Sequence, residues 1–266
     1  MTSGQQQTST NKVMAIVKKS ILSLNWFEIL LMVTIMLLAV YNFFNKHDFG
    51  FNGYVGGLCA VMGVFCVVLG AKGSRANWVF GIIECFLKMY IVFTQHFYGD
   101  LLQRLFYNFP MQFVGWFKWE KRERNDESTT IHTRYMTWTQ RFYTLCVVAV
   151  GTVVRGLFLK FIGPLVVDGM RAVLPDMEFK TIKLDYEMPV LLWIDSFTTV
   201  MNIVALVVSV KAFVEQWYMW LFINLAYIFQ WSLSSGDFSF IMTAQYTVYL
   251  VNSFYGIYMW NKLSKN

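Results

Sequence analysis

Eight stretches of this chain stay apolar for about 20 residues each, the length an α-helix needs to cross the ~30 Å hydrocarbon core of a bilayer. They fall near residues 24–44, 52–71, 78–97, 101–118, 140–163, 189–210, 217–234 and 239–260. Backbone inside lipid must satisfy its own hydrogen bonds, so stretches of this kind fold as helices packed side by side. Charged residues make up 14% of the chain, against roughly 25% in a soluble domain. The expectation is an all-α integral membrane protein with about eight transmembrane helices. The fourth stretch is the weakest, because Arg104, Asn108, Pro110 and Gln112 interrupt it and a re-entrant segment has the same pattern. Seven spans would leave the two termini on opposite sides.

Positive charge tests the count, since Lys and Arg collect on cytoplasmic loops. With the N-terminus placed inside, fourteen Lys and Arg fall on the cytoplasmic side and six outside, which favours eight spans with both termini cytoplasmic. The net charge of +6 then follows from basic loops beside anionic lipid and calls for no nucleic acid. Residues 1–19 form a polar cytoplasmic N-terminus with no cleavable signal pattern, and the first span, within 20–45, is expected to serve as an uncleaved anchor. Cys59, Cys66, Cys85 and Cys146 lie inside apolar spans without CxxC spacing and read as small hydrophobes. His47, His96 and His132 have no partner at ligand spacing, so no metal or other cofactor is expected.

The chain also matches itself. Shifted by 139 positions, Lys72 meets Lys211 and Trp78 meets Trp217; shifted by 141, Phe113 meets Phe254, Gly115 meets Gly256, Trp119 meets Trp260 and Lys121 meets Lys262. These matches fall at corresponding ends of corresponding spans. They point to two three-helix bundles, residues 52–119 and 189–261, joined by a linker helix at 139–163 that restores the orientation. One extra N-terminal helix precedes this 3+1+3 parallel repeat. Parallel repeats about the membrane normal are a transporter arrangement, with substrate held near the midplane. The competing explanation is that lysines and tryptophans mark the membrane interface in any span.

Polar residues inside these spans then mark candidate contacts. Trp217, Trp220 and Asn224 lie at i, i+3 and i+7, on one face of a helix. In the fourth span Asn108, Gln112 and Trp116 recur every four residues; in the eighth Gln245, Tyr249 and Asn252 form a similar stripe. Amides in lipid are costly unless paired or facing water, and they can equally join one helix to another. That bland role weighs as much as ligand contact for Asn108 and Gln245, and less for Gln112, Asn224 and Asn252. Glu84 and Lys88, at i and i+4, read as a structural ion pair, while Arg155 and Asp195 can pair across helices or line the path. Neither Glu84 nor Asp195 falls on a polar stripe, which favours facilitated diffusion over proton coupling.

The stretch EQWYMWLFIN resembles the WxxWxxxN/D motif of the PnuC nicotinamide riboside transporters, and CAVMGVFCVVLGAKG, NWVFGIIECFLKMYIVFTQHFYGD and NFPMQFVGW resemble the first half of that family. The resemblance runs over roughly residues 20–262; residues 1–19 and the external loop 164–188 carry no recognisable motif. It implies a SWEET-like fold, a homotrimer in a bacterial cytoplasmic membrane, and uptake of nicotinamide riboside, an NAD precursor, without a coupling ion, followed by trapping through intracellular phosphorylation. It implies that Trp217 and Trp220 hold the nicotinamide ring, that Asn224 contacts the carboxamide or ribose, and that Gln112 and Asn252 complete the site. A cationic ring gains roughly 0.5 to 2 kcal/mol from each aromatic face, but thiamine, riboflavin or a deoxyribonucleoside would fit the same inventory. A membrane enzyme would need a cluster of acid, base or metal ligands at one face, and none stands out. A binding-only receptor could keep such a repeat, and only a flux measurement separates it from a transporter.

Overall fold

The computed structural model describes residues 3–45, 50–94, 98–122, 130–173, 189–233 and 238–265. His47, His96 and most of the expected external loop, residues 174–188, lie outside the described residues.

The apolar stretches fold as helices. α1 is Ser3–Leu22, α2 Trp26–Asn45, α3 Phe51–Ala71, α4 Ala76–Thr94 and α5 Tyr98–Gln103; a π turn at Arg104–Asn108 leads into α6, Phe109–Glu120. α7 is Trp138–Phe161, α8 Gly163–Val173, α9 Pro189–Val210, α10 Gln216–Ser232 and α11 Ser239–Leu263. Five of them, α2, α3, α4, α7 and α9, contain segments that are long and apolar enough by themselves to cross a membrane. The other three expected spans correspond to α5 through α6, to α10 and to α11. The first is broken by the π turn just before Pro110, whose missing N–H cannot continue an α ladder. α10 has only 17 residues, or roughly 26 Å of rise. α11 carries Gln245 and Asn252 on its buried face.

Two groups of helices share a pattern of neighbours. α4 packs against α3 and α6, and α10 packs against α9 and α11; between the groups, α6 meets α9 and α11 meets α3. The turn before α4 and the turn before α10 are built alike. Gly73 and Ala212, 139 positions apart, both adopt a positive φ, 72° and 58°. The Ser74 N–H donates to the Leu69 carbonyl and the Phe213 N–H to Val208, again 139 positions on. Each turn is held by the connecting segment, where Ile131 donates to Gly73 and Arg134 to Ala212.

Four indoles close the end of the bundle nearest these turns. Trp78 contacts Trp119 at 5.1 Å between ring centroids, Trp119 contacts Trp260 at 5.7 Å, and Trp260 contacts Trp217 at 6.0 Å. The two central ones bond across the groups: Trp119 Nε1 donates to the Ser209 carbonyl (3.0 Å) and Trp260 Nε1 to the Gly70 carbonyl (2.9 Å). The outer two lie over glycines, Trp78 on Gly115 and Trp217 on Gly256, where a Cβ would fall inside the indole.

The polar N-terminus is helical from Ser3 and docks on this end. Ile16 and Val17 of α1 pack near Leu69, Ala76 and Phe80, and Ser20 and Ser74 share a buried hydroxyl bond of 2.7 Å. Lys12 reaches Glu120 at 3.4 Å, and Arg75 reaches the same carboxylate at 2.9 Å while lying 4.3 Å above the Trp116 ring. The hydrogen bond from Arg75, with the nearby positive charge, holds the Glu120 carboxyl below its usual range against the opposing effect of burial. On the far flank α7 packs on α9, with Gly156 under Trp193 and Arg155 paired to Asp195 at 2.7 Å.

Candidate functional site

All eight residues singled out from the sequence lie on α10, α11 and the π turn with α6, the segments whose polarity or length keeps them from reading as simple spans. A polar group inside a membrane helix costs hydropathy and persists where it is paired or meets a ligand. Partners show which case applies to each.

Trp217 is buried at 5% exposure, seated over Gly256 and against Trp260. Its Nε1–H has no partner among the described residues, and the same holds for Trp78 over Gly115. Because both groups repeat this packing, Trp217 serves first as a structural element of the indole cluster. Trp220 differs: it is half-buried, and its Nε1 donates to Ser209 Oγ at 3.2 Å. The Ser209 hydroxyl bonds in turn to Gln216 Oε1, so the indole plane of Trp220 is fixed from behind. Asn224, one turn further and buried, donates from Nδ2 to Ser253 Oγ on α11 at 3.0 Å. At the positions corresponding to Trp220 and Asn224, α4 carries Gly81 and Cys85.

Gln112 fills the clearance that Gly81 leaves, since a Cβ there would fall on its Oε1. Trp116 is half-buried beneath Arg75 and packs on the same apolar cluster as Trp217 and Trp220. Asn108 sits in the π turn, buried, with its Oδ1 unpartnered among the described residues. π segments inside helices are frequent at functional sites.

On α11 the stripe turns toward α3. Asn252 donates from Nδ2 to the Val67 carbonyl at 2.8 Å, which makes it a helix joiner by one end; its buried Oδ1 has no partner among the described residues. An acceptor left unmade costs about 1 to 3 kcal/mol, so a ligand hydroxyl or amide that reached it would recover that loss. Gln245 and Tyr249 lie over Gly63, where a Cβ would displace both. Gln245 is fully buried and ties α11 to α3 and α4.

The expected Glu84–Lys88 ion pair is loose, at 3.9 Å. Lys88 is 2% exposed and its nearer partners are Gln245 Oε1 at 2.9 Å and Met242 Sδ at 2.8 Å, with the Tyr246 ring 5.1 Å away. A lysine has the reach to span α4 and α11, and in doing so passes the carboxylate one turn back. Asp195 takes the pairing role with Arg155 and stays on the α7–α9 flank. Two features escaped the sequence reading. Ser253, the partner of Asn224, stands 141 positions after Gln112 and was legible from the repeat offset. The stacked pair Tyr227 and Tyr246, 4.6 Å apart, joins α10 to α11 through residues that periodicity alone leaves as ordinary apolar packing.

The profile of the nicotinamide mononucleotide transporter family matches residues 53–262. The chain is 29% identical to the nicotinamide riboside transporter PnuC of Neisseria mucosa over 80% of its own length and 74% of that protein. It is 27% identical to PnuC of Haemophilus influenzae, over 78% of this chain and 79% of that one. A crystal structure of the vitamin B3 transporter PnuC superposes with a TM-score of 0.68 at 27% identity, covering 91% of this chain and 94% of that structure.

Proposed function

The chain belongs to the nicotinamide mononucleotide transporter family, and from that membership we propose that it carries nicotinamide riboside, an NAD precursor, into a bacterial cell across the cytoplasmic membrane. It is a multi-pass membrane transporter, not an enzyme. Transport runs by facilitated diffusion, with intracellular phosphorylation trapping the product, and three copies of the chain assemble as a homotrimer. Eight spans place both termini in the cytoplasm. They divide into one N-terminal helix (20–45), a first bundle (52–119), a linker (139–163) and a second bundle (189–261), in the SWEET-like 3+1+3 order. The matching turns at Gly73 and Ala212 and the crossed indole bonds support this division.

The observation that carries the site is the asymmetry at Trp220 and Asn224. The second half has an indole and an amide where the first has Gly81 and Cys85, so the ring is gripped from α10 with Trp217 seated behind. Asn224 contacts the carboxamide or ribose; Gln112 reaches across from α6, Asn252 offers an Oδ1 unpartnered among the described residues, and Tyr249, Trp116 and Asn108 complete the lining. A cationic ring over the half-exposed Trp220 face gains roughly 0.5 to 2 kcal/mol.

Vesicles holding the purified protein should take up labelled nicotinamide riboside equally well with and without a proton or sodium gradient. Trp220→Ala and Asn224→Ala should each weaken binding about tenfold, the effect of losing about 1.4 kcal/mol. Uptake of thiamine, riboflavin or deoxynucleosides in place of nicotinamide riboside would overturn the substrate, and unchanged binding in both variants would overturn the site.

A further inference from the structure

We propose that Lys88 is a positioning residue, which fixes the amide of Gln245 so that Tyr249 presents its hydroxyl hydrogen to the substrate. The inference rests on the substrate-site reading above. The groups that Lys88 Nζ contacts among the described residues are electron-rich: Gln245 oxygen at 2.9 Å, Met242 sulfur at 2.8 Å, the Tyr246 ring at 5.1 Å and the Glu84 carboxylate at 3.9 Å. That environment suits an ammonium, which donates and never accepts. The amide atom facing it is therefore the oxygen, and the orientation of Gln245 is set by chemistry.

The consequences pass along a chain of single protons. With Oε1 held by Lys88, the two hydrogens of Gln245 Nε2 are committed to the Cys59 carbonyl at 3.3 Å and to the Tyr249 hydroxyl oxygen at 2.7 Å. Tyr249 accepts from Gln245, so its own hydrogen points elsewhere, and no acceptor for it stands among the described residues. Gln245 is fully buried and Tyr249 half-buried, so the network is anchored at its Gln245 end. Gly63 on α3 supplies the clearance for both side chains. The ligand atom that completes the network is an acceptor: a carboxamide or ribose oxygen of the nicotinamide riboside.

Three variants test this by their coupling, measured as binding of labelled nicotinamide riboside to the purified protein, with melting temperature as the check on folding. Tyr249→Phe should weaken binding about three- to tenfold, the worth of one neutral hydrogen bond. Gln245→Glu keeps an acceptor for Lys88 but removes the Nε2 hydrogens, so Tyr249 turns its hydrogen to the new carboxylate and binding falls by a similar factor. Lys88→Met frees the amide to rotate and should do the same. Neither change should weaken binding further in a Tyr249→Phe background, whereas a purely structural Lys88 or Gln245 would multiply the losses. Losses that multiply, or a Tyr249→Phe variant that binds like the wild type, overturn the network. If Lys88→Met does not fold, Gln245→Glu with Tyr249→Phe decides alone. A wild-type protein that binds no nicotinamide riboside overturns the substrate reading and the named ligand together, a result distinct from multiplying losses.

Discussion

Trp217 and Trp220 look equivalent as two indoles three residues apart, and their surroundings separate them. Trp217 is seated on Gly256 in a packing that Trp78 and Gly115 repeat, while Trp220 is hydrogen-bonded from behind and half-open. Gly256→Ala would drive a methyl group into the indole, and overpacking of this kind costs about 1 to 3 kcal/mol. A lower melting temperature in detergent, with Gly115→Ala behaving alike, is the expected result; an unshifted Gly256→Ala would mean that the indole is not seated there. Both tryptophans and Asn224 were legible as one helical face from spacing. Which of them was structural was not, because that depends on the residue opposite, 39 positions further along the chain.

At the scale of elements, the short α6 and α10, of 12 and 17 residues, and the polar residues of α11 explain why five helices read as spans by themselves. The three helices that carry the candidate site each hold amides inside the helical run, which lipid tolerates where they are paired or meet a ligand. The broken fourth span is one such case: interruption at Arg104, Asn108 and Pro110 was visible in the sequence, and the structure resolves it as a π turn inside a helical run. α7 and α9 are apolar helices joined by one ion pair, Arg155 with the nine-tenths-buried Asp195. Removing one partner of such a pair leaves an uncompensated charge and costs about 3 to 5 kcal/mol, whereas replacing both by apolar groups is often neutral. Asp195→Asn should therefore lower the melting temperature strongly, and Arg155→Met with Asp195→Leu should restore it. A double variant as unstable as the single one would show that the pair does more than join the two helices. The docking of α1 on Ser74, Glu120 and the α4 surface had no signal in periodicity, since the residues that make it, Lys12, Ile16, Val17 and Ser20, do not form an apolar stripe along that polar segment.

For the whole molecule, the asymmetry of Lys and Arg between the two sides and the eight apolar stretches predict both termini on the cytoplasmic side. Single cysteines at Lys12 and Lys265, in a background without the four native cysteines, should react with an impermeant thiol reagent only after right-side-out cells are opened. Labelling of either position in intact cells would reverse the orientation or change the number of crossings. Apolar length, charge bias and the 139- and 141-position offsets are properties of the linear chain, because bilayer thickness, leaflet charge and a duplicated packing motif each act on local sequence. They determined that this is a helical membrane protein and which of its helices carry polar faces. Partner choice was decided only in three dimensions. Asn252 bonds to α3, Lys88 passes Glu84 to reach Gln245, and Trp119 and Trp260 bond across the two groups. A side chain's role follows from the atom it meets, and helices distant in sequence set that meeting through the clearances at Gly63, Gly81, Gly115 and Gly256.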